Sequence, residues 1–229
     1  WDGGNNDTPF YRSDLEIVVV DPHRPGHEIM YYPGMVNLLR ADVIIINKVD
    51  TAKPADLDVV RANVRKFNPT AKVIETACRV TVPEPEQVKG KRVLVVEDGP
   101  TLTHGEMRYG AGVVCARQQG AAEIIDPRPF AIGSIRTTYE KYPHMIELLP
   151  AMGYSETQRH ELESTINNVP CDLVLVATPI DLARVIKINK PSLRVSYEVE
   201  AVSKPMLRDA LVEFTQSHKK EAVMAGAAG

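Results

Sequence analysis

The stretch Ala41-Asp42-Val43-Ile44-Ile45-Ile46-Asn47-Lys48-Val49-Asp50 decides how this chain is read. Four β-branched residues in a row, Val43 to Ile46, leave no polar face and predict a strand buried on both sides of a parallel sheet. Such sheets bind ligands outside the carboxyl ends of their strands, where Asn47-Lys48-Val49-Asp50 falls. The tetrad has the chemistry of a guanine site. Asp50 can accept from the ring N–H and the exocyclic amine together, Asn47 can reach the purine edge, and the Lys48 stem can cover the ring face. Thr76-Ala77 follows the next strand segment, Lys72 to Glu75, and would line the same pocket through backbone N–H groups.

Working outward, further strands are predicted over residues 16–20, 92–96, 123–125, 172–177 and 193–199. Helical patterns separate them. Residues 54–67 carry Leu57, Val60, Val64 and Phe67 on one face, with Pro54 in the first turn. Residues 107–119 end at Gly120, and residues 134–142 stop before Pro143. Residues 155–167 open on Ser155 with Gln158 at the capping-box position, and residues 204–217 close the pattern. Short apolar strands alternating with longer helices define the α/β class, with a mainly parallel sheet flanked by helices. Pro83 and Pro85 in an aperiodic segment place a boundary near residue 82. The expected division is 1–82, 83–217 and a flexible tail over 218–229.

The 229 residues suffice for one large or two small α/β domains. A formal charge of −3 gives no electrostatic reason to expect nucleic acid or an anionic membrane as partner. Cys78, Cys115 and Cys171 are odd in number and widely spaced, which argues against a disulfide framework or zinc site and fits a cytoplasmic setting. No apolar run approaches a membrane span. The opening Trp1-Asp2-Gly3-Gly4 reads as the end of a strand, so the chain is expected to be a fragment.

Three other clusters follow strands. Asp2, ahead of Gly3-Gly4-Asn5-Asn6-Asp7, reads either as a magnesium ligand beside phosphate or as a tight Asx turn. In Asp21-Pro22-His23-Arg24-Pro25-Gly26-His27-Glu28, Pro25 and Gly26 break the helix that paired histidine ligands would need. Arg24 is then a phosphate contact, because guanidinium matches phosphate bidentately, or part of an exposed turn. Glu97-Asp98-Gly99-Pro100-Thr101-Leu102-Thr103-His104-Gly105 offers two carboxylates, two hydroxyls and a histidine ahead of Gly110-Ala111-Gly112. Glu97 or Asp98 could bind magnesium or act as base and His104 could shuttle a proton, while Thr101 and Thr103 could hold phosphate. A structural turn is the alternative. No GxxxxGK[ST] stretch occurs anywhere in the chain.

Taken together, Trp1 to Asp7, Asp21 to Glu28, Asn47 to Ala52, Val95 to Gly105 and Asp126 to Pro129 resemble one family. So do Leu149 to Tyr154 and Ala177 to Leu182. It is the predicted-GTPase family named after cyclic 2,3-diphosphoglycerate synthetase, and the likeness runs nearly end to end. The resemblance implies a P-loop NTPase-like fold, incomplete here, of the kind shared with dethiobiotin synthetase and metallochaperone GTPases. It further implies that the phosphate-cradling loop lies in an amino-terminal region upstream of Trp1, without which this chain would be inactive.

Two enzymatic readings and one non-enzymatic reading follow. The first is a magnesium-dependent NTPase preferring GTP, with Asn47, Lys48 and Asp50 selecting the base and Asp2 assisting the metal. The second is an ATP-dependent synthetase acting on a small phosphorylated acid, with Arg24, His104 and Arg128 as substrate-phosphate contacts. The third is a nucleotide-responsive regulatory module. The oligomeric state, including a homodimer, stays open.

Overall fold

The computed structural model describes residues 3–4, 7–99, 102–103, 108–202 and 204–226, with side chains up to residue 218. It divides into two compact units, one formed by Trp1–Arg79 with Glu198–Gly229 and the other by Val80–Tyr197.

The first unit is built on strands β1 (Ile17–Val20), β2 (Val43–Ile46), β3 (Lys72–Thr81) and β9 (Ser196–Ala201), in the order β1-β2-β3-β9. Strands β1, β2 and β3 are parallel, with Ile17 opposite Val43 and Val43 opposite Lys72. All four residues of β2 are buried, as its unbroken β-branched run requires. Alternation sends Ile44 and Ile46 to one face, where they meet Leu38 and the Leu57-Val60-Val64 stripe. Val43 and Ile45 go to the other face, against Ile74 and Ala210. Helices α1 (His27–Met30) and α2 (Tyr32–Arg40) link β1 to β2, and α3 (Pro54–Phe67) links β2 to β3. The chain then leaves for the second unit and returns through β9 and α7 (Leu207–Gly226).

Asn68 joins this unit's layers. It is buried, its Nδ2 donates to the carbonyls of Leu38 (2.9 Å) and Ala41 (2.8 Å), and its Oδ1 accepts from Ala71 N–H (3.1 Å). One side chain thus satisfies carbonyls that the end of α2 leaves without helical partners.

In the second unit β4 (Arg92–Asp98) is central. Strand β7 (Leu173–Ala177) and then β8 (Ser192–Arg194) lie on one side. On the other, β5 (Glu123–Ile124) pairs with the start of β4 and β6 (Leu149–Ala151) with its end. Among the described residues the strand pairings of this sheet are parallel. Helices α4 (Ala111–Gln118), α5 (Gly133–Lys141) and α6 (Glu156–Asn168) complete it. Because the chain moves from β4 first to one side and later to the other, the carboxyl end of β4 is a topological switch point.

The α/β class with mainly parallel sheets is as the pattern predicts, and α3 and β2 fall on their predicted residues. The strands form two sheets, because β3 continues to Thr81 and the chain then starts a new strand order at β4. Two features differ. The segment expected to belong wholly to the second body returns to the first, because β9 pairs beside β3. Helix α7 extends backbone helix through Gly226, into the stretch expected as a flexible tail.

Candidate functional site

The tetrad sits in the loop leaving β2. Asn47 N–H extends the ladder by donating to Val20 O (3.0 Å), and Val49 N–H reaches across to Thr76 O (3.1 Å). Between them Lys48 adopts φ 60°, the left-handed region that a side chain normally avoids. The turn is held by Thr51 and Ala52 N–H groups, both donating to Lys48 O. Strain retained at a strand end is a recurring mark of binding loops.

Asn47 Oδ1 accepts Lys48 N–H (2.9 Å) and the Thr76 hydroxyl (2.9 Å). A backbone N–H can only donate, so the atom facing it must be the amide oxygen, and the amide NH2 is left for another acceptor. Asp50 is exposed, and its Oδ1 accepts from Cys78 N–H at 3.3 Å, which steadies the carboxylate beside β3. Its Oδ2 carries no bond among the described residues. Thr76 and Ala77 are buried within β3, level with the carboxyl end of β2.

The Lys48 ammonium contacts Asp21 Oδ2 at 2.8 Å, and Arg24 Nη2 approaches the same oxygen at 3.4 Å. Asp21 Oδ1 accepts His23 N–H (3.0 Å). Burial alone would raise the Asp21 carboxyl, but Lys48, the His23 N–H and Arg24 together hold it below the usual carboxylate range. His23 Nε2 lies 2.9 Å from Thr51 Oγ1. Arg24 Nε is buried with no hydrogen-bond acceptor. Helix α1 begins only at His27, so His23 and His27 share no helical face. Glu28 is buried and takes Gly26 N–H (2.9 Å) and Asn63 Nδ2 (2.6 Å), fixing the far end of the loop.

In the second unit Glu97 is buried, and its Oε1 accepts Val113 N–H at 3.0 Å in the first turn of α4. A Cβ on Gly110 would run into this carboxylate and one on Gly112 into the Val95 side chain, which explains the glycines without any ligand. Thr103 is buried and donates to Gly99 O (3.1 Å). Asp98 ends β4 half-buried, near the Tyr154 phenol. Arg128 clasps Asp126 through Nε (2.9 Å) and Nη2 (2.6 Å), and that pairing lowers the Asp126 carboxyl.

The structure therefore gathers Asn47, Lys48, Asp50, Thr76 and Ala77 at the carboxyl end of β2 in the first unit, beside the Arg24 loop. Glu97, Asp98 and Thr103 lie at the β4 end of the second unit. Of the expected phosphate contacts, the Arg128 guanidinium pairs with Asp126 and the Thr103 hydroxyl donates to Gly99 O. Asp2, Thr101 and His104 lie outside the described residues. Sequence reasoning gave no individual role to Asp21, although an aspartate directly after an apolar strand was the available signal. Among the described residues, no three His, Cys, Asp or Glu side chains group as a metal site, and no helix is long and apolar enough to cross a membrane.

Parallel strands with polar residues at their carboxyl ends define an α/β protein of nucleotide-binding type, and residues 6–75 match the CobW/HypB/UreG nucleotide-binding domain family. That match supports a P-loop-type nucleotide-binding domain in the first unit. The chain is similar to the arginine synthetase ArcE of Thermococcus kodakarensis, 59% identical over 220 residues that cover 96% of this chain and 49% of that protein. The chain spans about half the length of that curated relative.

Proposed function

We propose that this chain carries the base-recognising part of a nucleotide-dependent synthetase that prefers GTP. The observation that carries the reading is the Asn47 amide, whose oxygen is spent on Lys48 N–H and the Thr76 hydroxyl. Its NH2 then faces the acceptor edge of a purine, while the Asp50 carboxylate meets a donor pair. Guanine offers O6 and N7 as acceptors and N1–H with N2–H2 as donors. Adenine presents the unprotonated N1 to Asp50, a repulsive contact.

The synthetase class is drawn from the ArcE likeness. The second unit would take the acceptor at its own switch point, with Asp98 placed to meet a cationic group of an amino acid. The alternative, a phosphorylated acid closing to a cyclic 2,3-diphosphoglycerate, needs free cations. Of the expected phosphate contacts, Arg128 is neutralised by Asp126, and Arg24 shares Asp21 with Lys48. The amino-acid reading is therefore preferred. Magnesium would arrive with the nucleotide phosphates. Asp2 remains its proposed protein contact.

The test compares GTP and ATP binding to the full-length gene product. Asp50→Ala is expected to lower the preference for GTP by about 100-fold, because a site built to hydrogen-bond a donor pair discriminates strongly while intact. Equal affinity for both nucleotides in the parent, unchanged by Asp50→Ala, removes the guanine reading. Nucleotide turnover that responds to arginine supports the synthetase class, and turnover that responds only to a diphosphoglycerate replaces it with the alternative.

A further inference from the structure

We propose that Asp21 is a positioning residue for base recognition: it pins the Lys48 ammonium so that the lysine stem forms a fixed platform for the purine face. The inference rests on the base-site reading above and adds a residue from a separate loop.

The geometry fixes Lys48 at both ends. At the backbone end, φ 60° is locked by Thr51 and Ala52 N–H groups on Lys48 O. At the other end, Nζ is 2.8 Å from Asp21 Oδ2. The four-carbon stem runs between those anchors. Asp21 is itself immobilised, with Oδ1 on His23 N–H and a side chain only 13% exposed. The His23–Thr51 contact makes a second stitch between the same two loops, 2.9 Å long. An unanchored lysine samples many rotamers, and binding a ring against it would require freezing them at that moment. Anchoring by Asp21 removes that cost before the nucleotide arrives. The pair joins the loop after β1 to the loop after β2 at the carboxyl ends of two parallel strands, the position where such sheets bind ligands.

The experiment is a double-mutant cycle on the full-length gene product, read by binding of a fluorescent guanine nucleotide and by thermal melting. Asp21→Asn is expected to weaken binding about tenfold, the cost of ordering one long side chain. Asp21→Glu should recover most of that loss, because it restores the charge to Nζ. In a Lys48→Met background, Asp21→Asn should cost nothing further in affinity. An equal loss in both backgrounds, or no loss in either, overturns the inference. The two readings fail separately. If Asp50→Ala abolishes guanine preference while the Asp21–Lys48 cycle shows no coupling, only the positioning role falls. If Asp50→Ala changes nothing, the base site itself falls.

Discussion

The Glu97 carboxylate and the Gly110 α-carbon pack so closely that no side chain fits between them. Glu97 sends its carboxylate from the end of β4 to the start of α4, where it takes Val113 N–H at 3.0 Å. A negative group there satisfies an orphan helix N–H and complements the helix dipole. Gly110→Ala must push that carboxylate aside and is expected to destabilise the protein by about 1–3 kcal/mol, the range for overpacking. Glu97→Gln keeps the shape and should lose about 1 kcal/mol with turnover retained, whereas Asp98→Asn should lower turnover. Thermal melts and steady-state rates on the three variants check the division of labour. Loss of turnover in Glu97→Gln at unchanged affinity would return Glu97 to the chemistry.

Asn68 gives the second prediction, one of stability alone. Its amide serves carbonyls from the end of α2 and an N–H at the start of the next strand connection. Asn68→Ala leaves these buried groups without partners, at an expected cost of about 2–3 kcal/mol. Asn68→Asp should be no better, because a carboxylate cannot donate to carbonyls. Urea titration of the first unit's unfolding measures it.

How much of this could be read from the residues depended on which interactions were local. Strand β2 and helix α3 were legible because an unbroken β-branched run and a 57-60-64 stripe each have one packing solution. The capping box of α6 was equally local, and Ser155 and Gln158 form it. Strand order was not legible. Nothing in residues 192–201 says that β8 joins β7 while β9 returns to β3. In the candidate site, the placement of Asn47 and Asp50 just past β2, with Thr76 beside them on β3, followed from the strand pattern. It could not show that Glu97 turns toward a helix, that Arg128 folds back on Asp126, or that Asp21 meets Lys48 across 27 residues. These are tertiary pairings between residues whose types fit several partners equally well.

The cysteines make a third prediction. Cys115 is fully buried on α4, and burial pushes its thiol up to about 11. Thiolate is the reactive form, so Cys115 should resist alkylation at pH 8 until the protein unfolds. Cys78 and Cys171 are half-buried and also raised by burial, though Lys48 and Lys190 respectively oppose the shift. They should react slowly but measurably in the native protein. Mass spectrometry after timed alkylation would show two modified thiols before the third, and early labelling of Cys115 would contradict the packing of α4.

The Asp21–Lys48 pair sets a pH dependence whose sign is fixed. Burial pushes the Asp21 carboxyl up, but Lys48, the His23 N–H and Arg24 outweigh it, so its folded value lies below the unfolded one. In acid the unfolded chain therefore binds the proton first, and stability from this group rises with pH across that interval. The contribution is complete above the ordinary aspartate value of about 4 and disappears as pH falls through the lowered folded value. Guanine-nucleotide affinity should follow the same carboxylate, holding steady from neutrality through the ordinary aspartate range and dropping only as pH falls through the lowered folded value, where Lys48 loses its anchor. In Asp21→Asn the anchor is already absent, so affinity should start lower and lose that step. A wild-type profile with no acid step, or an undiminished step in Asp21→Asn, would assign the titration to other groups. Comparing binding with the melting temperature at each pH separates release of Lys48 from general acid unfolding.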